Sequence, residues 1–556
     1  DEPAMKPAAS DKYRPYRAPV IARRTWPDAV ISAPPVWCSV DLRDGNQALI
    51  DPMDTQRKMR LWSTLVAMGF KQIEVGFPAA SQTDYDFIRH LIDGGHIPDD
   101  VTIQILTQSR EDLIRRSFEA LAGARNVIVH LYNSTSEVQR RVVFGFDRQG
   151  CIDLALAGTR LVRQLSAVRP EGEVTFQYSP ESFTGTEPDF AVSIVEAVAE
   201  AWGAAPERKM IVNLPATVEM STPNIYADVI EWFCATVRNR DSLIVSVHPH
   251  NDRGTGVAAA ELAMMAGAER VEGTLFGNGE RTGNVDICTL ALNMFTQGVD
   301  PALDFSDITT AARTAEYCNQ LPVHPRHPYV GELAFTAFSG SHQDAIKKGM
   351  TAQAQRNDGI WEVPYLPIDP ADVGRTYEAV IRINSQSGKG GVAFVLERDH
   401  GLQMPKPFQA EFARVVQEHA DREGRELSPE EIWLFFRRTY LGEGRVQVVD
   451  YSTVPVSKGQ RALTATVVVD GRERIIQGVG AGPVDAFIHA LAKDLAITVT
   501  LKDYHEHAIG QGSEAQAASY VAIAGKGGQT VHGAALDASV TMAALKAVAS
   551  AICRAT

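Results

Sequence analysis

The chain has 556 residues, of which 45% are hydrophobic and 22% charged, a composition typical of soluble globular proteins. The length predicts three or four domains at about 150 residues each, or fewer if a barrel alone uses roughly 250. Lys and Arg total 54 against 68 Asp and Glu, a net charge of −14, which disfavours nucleic acid or an anionic membrane as the main partner. A small anionic substrate stays possible, because a local pocket can reverse the overall sign.

The six cysteines are widely spaced and form no CxxC pair, which predicts reduced thiols in a cytoplasmic protein. No apolar run reaches the roughly 18 residues of a membrane span. The N-terminal segment has no apolar core like that of a signal peptide. Residues 1–35 are rich in Pro and Arg and predict an extended arm, either a disordered tail or a segment packed on a partner subunit.

Between residues 36 and 300, short β-branched runs alternate with amphipathic helical segments. Asp54 is the expected N-cap of the first helix and Gly69 its stop signal. Strands that alternate with helices form parallel βαβ units, and eight such units over about 260 residues predict an α/β fold, the (β/α)8 TIM barrel. A doubly wound open sheet is the competing fold, but it usually has fewer strands and a Gly-rich first turn, which is missing here.

Residues 301–444 are punctuated by prolines and predict a linker region of small helical subdomains, with one well-signalled helix at residues 428–441. Residues 445–556 predict the order βββα twice, with the fourth strand at 497–503. We therefore expect a C-terminal α+β domain with an internal pseudo-repeat.

Polar residues stand near the predicted C-terminal ends of the strands, where a TIM barrel has its active site. A single polar residue there is usually a cap or a packing residue, but a set from so many strands predicts a functional site. The set comprises Arg43 and Asp44 after strand 1, Glu74 in strand 2, His130 at the end of strand 4, Ser179 and Glu181 after strand 5, Thr217 after strand 6, His248 and His250 at strand 7, and Asn284 after a Gly-rich loop.

The His-x-His pair is the sharpest feature of this set. His248 and His250 lie two positions apart on a strand, so both imidazoles point to the same side. Asp44 supplies a carboxylate oxygen, and Asn284 could supply an amide oxygen. This donor set predicts a divalent ion such as Mg²⁺, Mn²⁺ or Zn²⁺ with open positions for substrate; two structural histidines are the alternative. The adjacent Arg43 could bind a carboxylate or stabilise an enolate oxygen.

These motifs resemble those of the DRE-TIM metallolyase family. Asp41–Gln47 together with Glu74 resembles its Asp-Arg-Glu signature, and His248–Asp252 and Gly277–Asn284 resemble its metal-site and Gly-loop motifs. The resemblance extends from about Tyr13 to the C-terminus. It implies a Claisen-type condensation in which acetyl-CoA adds to the ketone of 2-ketoisovalerate and the thioester is then hydrolysed. It further implies the first committed step of leucine biosynthesis, carried out by a cytoplasmic homodimer.

The resemblance also implies roles for individual residues. Arg43 would bind the ketoacid and stabilise the alkoxide, and Glu74 would orient the residues that bind metal and substrate. The remaining ketoacid contacts would be His130, Ser179 and Thr217.

The base that removes a methyl proton from acetyl-CoA stays open among three residues. Glu181 is a candidate within the barrel. The resemblance also implicates His342 and Tyr377 of the linker region, which would reach the barrel of the other subunit. Ordinary packing is the alternative for both.

Residues 445–556 resemble the leucine-sensing, dimeric regulatory domain of this family, which implies feedback inhibition by leucine. The small side chains between Gly510 and Tyr520 leave room for an aliphatic amino acid, although a tight turn would explain them as well. The implied leucine contacts are Gly510, Gly512, Ala515 and Tyr520.

Three alternatives stay open. The same catalytic motifs would serve a homocitrate or citramalate synthase that uses another 2-oxoacid. A carboxyltransferase would require a catalytic lysine near the metal and usually a biotin-carrying partner, and the sequence has no biotinyl Met-Lys-Met motif. A non-catalytic leucine sensor would not need the predicted metal ligands.

Overall fold

The computed structural model describes residues 9–356, 358–377, 390–423, 427, 429–442, 444–457, 459–510, 515–525 and 528–555. The chain divides into two compact units. The barrel unit ends at Ala334 and also contains Ile368–Thr376, and the C-terminal unit comprises Phe335–Pro367 and the chain from Tyr377 onward. The domain boundaries that the sequence suggests, near residues 36, 300 and 445, stay predictions.

Eight parallel strands form a closed barrel in chain order, and the first strand pairs with the last, for example Trp37 with Val271. The TIM barrel is therefore confirmed, and the competing open sheet is wrong. The strands are β1 Val36–Ser39, β2 Gln72–Gly76, β3 Thr102–Gln108, β4 Val127–Ser134, β5 Val174–Glu181, β6 Met210–Ala216, β7 Leu243–Pro249 and β8 Arg270–Gly273.

Helices surround the barrel and cover its outer face. The predicted capping of the helix that follows the first strand is present. The Asp54 side chain accepts a hydrogen bond from Arg57 N at 2.8 Å, and Gly69, just after the helix, has a φ of 99°. In the part of the chain described, no helix is both long and apolar enough to cross a membrane. The helices of this unit are α1 Ala9–Lys12, α2 Thr55–Ala67, α3 Gln82–Asp93, α4 Glu111–Ala120, α5 Glu137–Gln139, α6 Arg148–Ala167, α7 Pro188–Trp202, α8 Pro223–Thr236, α9 Gly256–Met265, α10 Ile287–Phe295 and α11 Ile308–Asn319.

The N-terminal arm packs against α8 of its own chain near Trp26. Arg24 forms a two-pronged ion pair with Asp228, both contacts at 2.8 Å, and Trp26 Nε1 donates to the same carboxylate at 2.9 Å. One oxygen of Glu231 accepts from the backbone N–H groups of Thr25 and Trp26, each at 2.9 Å. These contacts hold residues 24–26 on α8, which offers two carboxylates that match their donors, unlike a disordered tail. Packing of the arm on a partner subunit stays a prediction.

Two three-stranded antiparallel sheets form the end of the C-terminal unit, with strand orders β11-β10-β9 and β12-β13-β14. Each sheet is followed by a helix, α16 or α17, so the predicted βββα repeat is present. The elements are α12 Gly340–Gln355, α13 Gly390–His400, α14 Lys406–Glu423, α15 Pro429–Phe436, β9 Val446–Ser457, β10 Gln460–Val469, β11 Arg472–Gly480, α16 Pro483–Leu495, β12 Leu501–Ile509, β13 Gln516–Ala524, β14 Thr530–Asp537 and α17 Val540–Ala555.

The fourth strand of this repeat begins later than predicted. It runs over Leu501–Ile509 rather than 497–503, because Ala496 ends α16 with a φ of 55°. The partner strand β13 ends at Ala524, whose N–H donates to Thr500 O, and its preceding residue Ile523 pairs with Leu501. Pairing, rather than the β propensity of residues 497–500, sets the boundary.

The two repeats share one hydrophobic core. Buried residues of β10 and β11, such as Leu463 and Ile476, belong to the same cluster as Val521 of β13 and Leu545 of α17. The two sheets and their helices therefore bury their apolar faces in a common core.

Candidate metal centre and active site

The turn after β1 places two charged side chains at the mouth of the barrel. Residues Asp41–Gly45 form a single wide helical turn. Asp41 fixes this turn, because its carboxylate accepts from Ser39 Oγ at 2.6 Å and from Leu275 N at 3.1 Å. Burial raises the pKa of Asp41 to about 6. The turn thereby directs Arg43 and Asp44 into the mouth.

The predicted metal ligands lie together. Asp44 Oδ2 is 3.6 Å from Nε2 of His248 and 3.6 Å from Nε2 of His250, and all three side chains are buried. Asn284 Oδ1 lies 2.7 Å from His248 Nε2. Asp44 Oδ2 has no hydrogen-bond partner within the described chain. A buried, unpaired carboxylate oxygen that faces two imidazole nitrogens fits a divalent ion, because a cation would satisfy all of these groups.

The charges in this cluster shift the proton affinities of its members. Burial favours a neutral Asp44, but the nearby Arg43 and His248 dominate and hold its pKa well below the ordinary range. Burial also favours a neutral His248, yet Asp44 and Glu272 raise its pKa to about 10. Burial and the neighbouring His248 lower the pKa of His250 to about 4. Asp44 thus raises the pKa of both histidines, but at His250 burial and the charge of His248 outweigh it.

Arg43 is held from two sides at the rim of the metal cluster. Its Nη1 donates to Asp44 Oδ1 at 2.9 Å, and its Nε donates to Glu74 Oε1. Burial alone would lower the pKa of Arg43, but Glu74 and Asp44 raise it, so the guanidinium stays charged. The fork is thus fixed before any substrate binds.

His130 and Ser179 meet on the side of the mouth formed by β4 and β5. His130 Nε2 lies 2.6 Å from Ser179 Oγ, which also accepts from Asn213 Nδ2 at 3.1 Å. Thr217 accepts from Ser182 N at 2.9 Å through its hydroxyl. Thr217 follows β6 as predicted.

Two of the predicted strand ends are wrong. β4 continues past His130 to Ser134, and β5 includes both Ser179 and Glu181, because these two strands pair as far as Ser134 and Glu181. The side chains still face the barrel interior, since residues two positions apart on a strand share a face.

One cavity of about 280 Å³ joins these groups. The sequence interpretation missed several of its lining residues. Residues two positions apart on a strand share a face, so Tyr132 could have been inferred from His130, and Pro215 and Asn213 from Thr217. The full lining is Arg43, Asp44, Gln47, Phe77, Leu106, His130, Tyr132, Ser179, Glu181, Asn213, Pro215, Thr217, His248, His250, Glu280 and Arg281.

The three candidate bases fall into different units. Glu181 lines the cavity, and burial raises its pKa despite the nearby Arg43. His342 and Tyr377 belong to the C-terminal unit. His342 is exposed and stacks on Tyr365 with ring centres 4.1 Å apart. The Tyr377 hydroxyl has no hydrogen-bond partner among the described residues.

The residues predicted to contact leucine lie on either side of the β12–β13 connection and on β13. Gly510 has a φ of 86°, a conformation that favours glycine. Tyr520 is buried on β13 with its hydroxyl 3.1 Å from His507 Nε2. Ala515 precedes β13, and Gly512 lies outside the described residues.

A closed barrel with a carboxylate–imidazole cluster at its C-terminal mouth defines the class of TIM barrels with a candidate metal centre. The chain matches the HMGL-like family model over residues 35–315. Residues 332–397 match the alpha-isopropylmalate synthase post-catalytic domain-like model, and residues 426–556 match the LeuA allosteric (dimerisation) domain.

Several curated relatives are similar over almost their whole length. The Rhodospirillum rubrum relative is 57% identical, covering 97% of this chain and 97% of its own. The Ralstonia nicotianae relative is 56% identical, covering 98% and 94%, and the Parafrankia relative is 55% identical, covering 98% and 97%. All three are named 2-isopropylmalate synthase. The chain therefore belongs to the 2-isopropylmalate synthase family.

Proposed function

We propose that this chain condenses acetyl-CoA with 2-ketoisovalerate and hydrolyses the thioester to 2-isopropylmalate, the first committed step of leucine biosynthesis. The observation that carries this proposal is the single cavity in which Arg43, the Asp44–His248–His250 cluster and Glu181 meet. Family membership supports the reaction, and the cavity contains the groups that this reaction needs.

The metal-ligand cluster fits a divalent ion, with Mg²⁺, Mn²⁺ and Zn²⁺ all compatible with its donors. Asp44, His248, His250 and Asn284 would hold it, and when bound it would supply Lewis-acid polarisation of the ketone. Arg43 would then bind the alkoxide oxygen, because Glu74 and Asp44 already fix its guanidinium at the mouth.

The condensation forms one carbon–carbon bond and moves one proton. A base takes a proton from the methyl group of acetyl-CoA, and the resulting carbanion attacks the keto carbon. Glu181 suits this step among the barrel residues, because burial raises its pKa and so makes the carboxylate a stronger base. His342 and Tyr377, from the partner subunit, remain alternative bases. The alkoxide then takes up a proton, and water cleaves the thioester to release CoA.

Binding of the ketoacid would fall to the cavity wall formed by β4, β5 and the residue after β6. His130, Ser179 and Thr217 present polar atoms there. Leu106 and Pro215 add apolar surface that suits an isopropyl group. A carboxylate-bearing side chain, as homocitrate synthesis requires, would find fewer partners on such a wall.

A panel of 2-oxoacids tests the proposed function. CoA release is measured with a thiol reagent for 2-ketoisovalerate, pyruvate and 2-ketoglutarate, each with and without leucine. We expect the highest kcat/KM with 2-ketoisovalerate. A preference for pyruvate or 2-ketoglutarate would instead indicate a citramalate or homocitrate synthase, and leucine binding without any turnover would indicate a sensor.

Feedback inhibition by leucine is the regulatory part of the proposal, and we infer a homodimer with it. The match of residues 426–556 to an allosteric dimerisation domain supports both. Gly510, Gly512, Ala515 and Tyr520 are the proposed leucine contacts. In the oxoacid panel, leucine is expected to lower turnover of 2-ketoisovalerate.

A further inference from the structure

A fully buried charge cluster lies beneath the metal centre and has no role in the reaction as described. Arg270 and Glu272 of β8 and Gln104 of β3 have no exposed surface. They are absent from the described lining of the cavity. Burying two charges costs free energy unless both are paired, so their arrangement calls for an explanation.

One oxygen of Glu272 is bound to Arg270. Arg270 Nη1 donates to Glu272 Oε1 at 2.7 Å. The rest of the guanidinium donates to Gln72 Oε1 at 2.7 Å, to Ser246 Oγ at 2.9 Å and to Gln104 Oε1 at 2.8 Å. Because side chains from β2, β3 and β7 hold the guanidinium of Arg270, the position of Glu272 is fixed by the barrel itself.

The other oxygen of Glu272 faces a metal ligand. Glu272 Oε2 lies 3.1 Å from His248 Nδ1. An ionised carboxylate can only accept, so Nδ1 must carry the proton of this hydrogen bond. The opposite nitrogen, Nε2, then faces the other proposed ligands, Asn284 Oδ1 at 2.7 Å and Asp44 Oδ2 at 3.6 Å.

We infer that Glu272 is a positioning residue for the metal centre: held by Arg270, it fixes the ring orientation and tautomer of His248 so that Nε2 faces the ion. The inference rests on the proposed metal site and adds to it a residue that touches neither substrate nor ion. A ligating histidine commonly donates its second N–H to a carboxylate, and loss of that partner costs about 10- to 100-fold in metal affinity.

A second metal site is the competing explanation of the cluster. Atoms of Glu74, His130 and Glu272 also lie within 4.8 Å of one another. However, Arg43 already binds Glu74 and Arg270 already binds Glu272. Two guanidinium groups thus neutralise the two carboxylates, and a further cation would meet their positive charge.

Mn²⁺ binding to the full-length chain tests the inference. Free Mn²⁺ is followed by electron paramagnetic resonance in wild type, in Glu272→Gln and in the control Asp228→Asn, which removes an equally buried carboxylate on the outer helix α8. We expect Glu272→Gln to bind about 10- to 100-fold more weakly and the control to bind like wild type. Equal affinity in wild type and Glu272→Gln would overturn the inference, whereas no binding to wild type would overturn the metal site itself.

Two further measurements keep the inference testable if Glu272→Gln fails to fold with Arg270 left uncompensated. The double variant Arg270→Gln/Glu272→Gln removes both charges and is expected to show the same loss of affinity. In the wild type with ¹⁵N-labelled histidine and Zn²⁺, nuclear magnetic resonance is expected to show His248 protonated on Nδ1 and bound through Nε2. Binding through Nδ1 would contradict the role given to Glu272.

Discussion

Oδ2 of Asp44 lies 3.6 Å from Nε2 of His250, although Asp44 follows the first strand of the barrel and His250 the seventh. Closure of the barrel brings the two residues to one mouth, where Asp44 Oδ2 lacks a hydrogen-bond partner within the described chain. This unpaired oxygen is the centre of the first two predictions.

Asp44→Asn is expected to abolish CoA release, because it removes the anionic oxygen shared by both imidazoles. Turnover of 2-ketoisovalerate is measured by the thiol assay, and metal binding by Mn²⁺ titration. Asp112→Asn, an exposed carboxylate on α4, is the control and should retain both. Normal turnover in Asp44→Asn would refute the metal assignment.

Metal removal is expected to destabilise the barrel unit. A ligand that binds only the folded state adds about 2.7 kcal/mol when its concentration is 100 times Kd. Thermal unfolding in EDTA and in excess Mg²⁺ or Mn²⁺ should therefore give a higher Tm with metal. Asp44→Asn should show no such shift, and a shift of wild-type size in that variant would place the ion elsewhere.

Arg43→Lys is expected to lower kcat by about 100- to 1,000-fold, because lysine cannot bind Glu74, Asp44 and the alkoxide at once. Mn²⁺ affinity should change little, since Arg43 is not a ligand. The measurement is kcat and KM for 2-ketoisovalerate alongside the Mn²⁺ titration. A variant with wild-type kcat and a raised KM would show that Arg43 only binds the ketoacid.

Ala515→Leu is expected to weaken leucine inhibition by about tenfold or more, because added methylene groups would occupy the space proposed for the ligand. Activity without leucine should be retained. Ala508→Leu, at an exposed position on β12, is the matched control. The test compares the leucine concentration that halves the rate, and inhibition like that of wild type in Ala515→Leu would move the leucine site.

Acid is expected to weaken the C-terminal unit through Glu411. This side chain accepts from His532 Nδ1 at 2.6 Å and is also bound by Arg554. Although burial alone would raise the pKa of Glu411, His532 and Arg554 lower it from 4.5 to about 2. A carboxyl group whose pKa is lower in the folded state stabilises the fold at every pH above its pKa in the unfolded chain. This stabilisation is lost as the pH falls from about 4.5 to about 2.

The comparison of wild type with Glu411→Gln checks that direction. The difference in free energy of unfolding should be at most about 3 kcal/mol at pH 7 and should shrink as the pH approaches 2. Urea unfolding midpoints at pH 7 and pH 3 measure it. A difference that stays constant with pH would show that packing, rather than charge, accounts for the effect of Glu411.

Much of the site was predictable because parallel strands deliver their C-terminal ends to one mouth. His248, His250, Asp44 and Asn284 could be grouped on that rule alone, without any contact being known. Strand lengths were less predictable, since the ends of β4 and β12 depend on how far their partner strands extend.

The buried polar layer beneath the mouth could not be predicted. Arg270 and Glu272 lie on a strand of only four residues. In the sequence, two charged side chains on such a short strand would predict exposure to solvent. Their partners Gln104 and His248 come from β3 and β7, and only closure of the barrel makes these partners available. The contacts of the N-terminal arm could not be predicted either, because Arg24 can bind Asp228 only once α8 has packed against the sheet.

The sequence alone determined the order of strands and helices, the βββα repeat and the group of residues at the mouth, because periodicity and strand polarity are local properties of the chain. Tertiary structure decided which oxygen of Asp44 lacks a partner, which nitrogen of His248 faces Glu272, and which candidate base shares the cavity. These outcomes depend on distances of a few ångströms between distant segments, and packing of the closed barrel sets such distances.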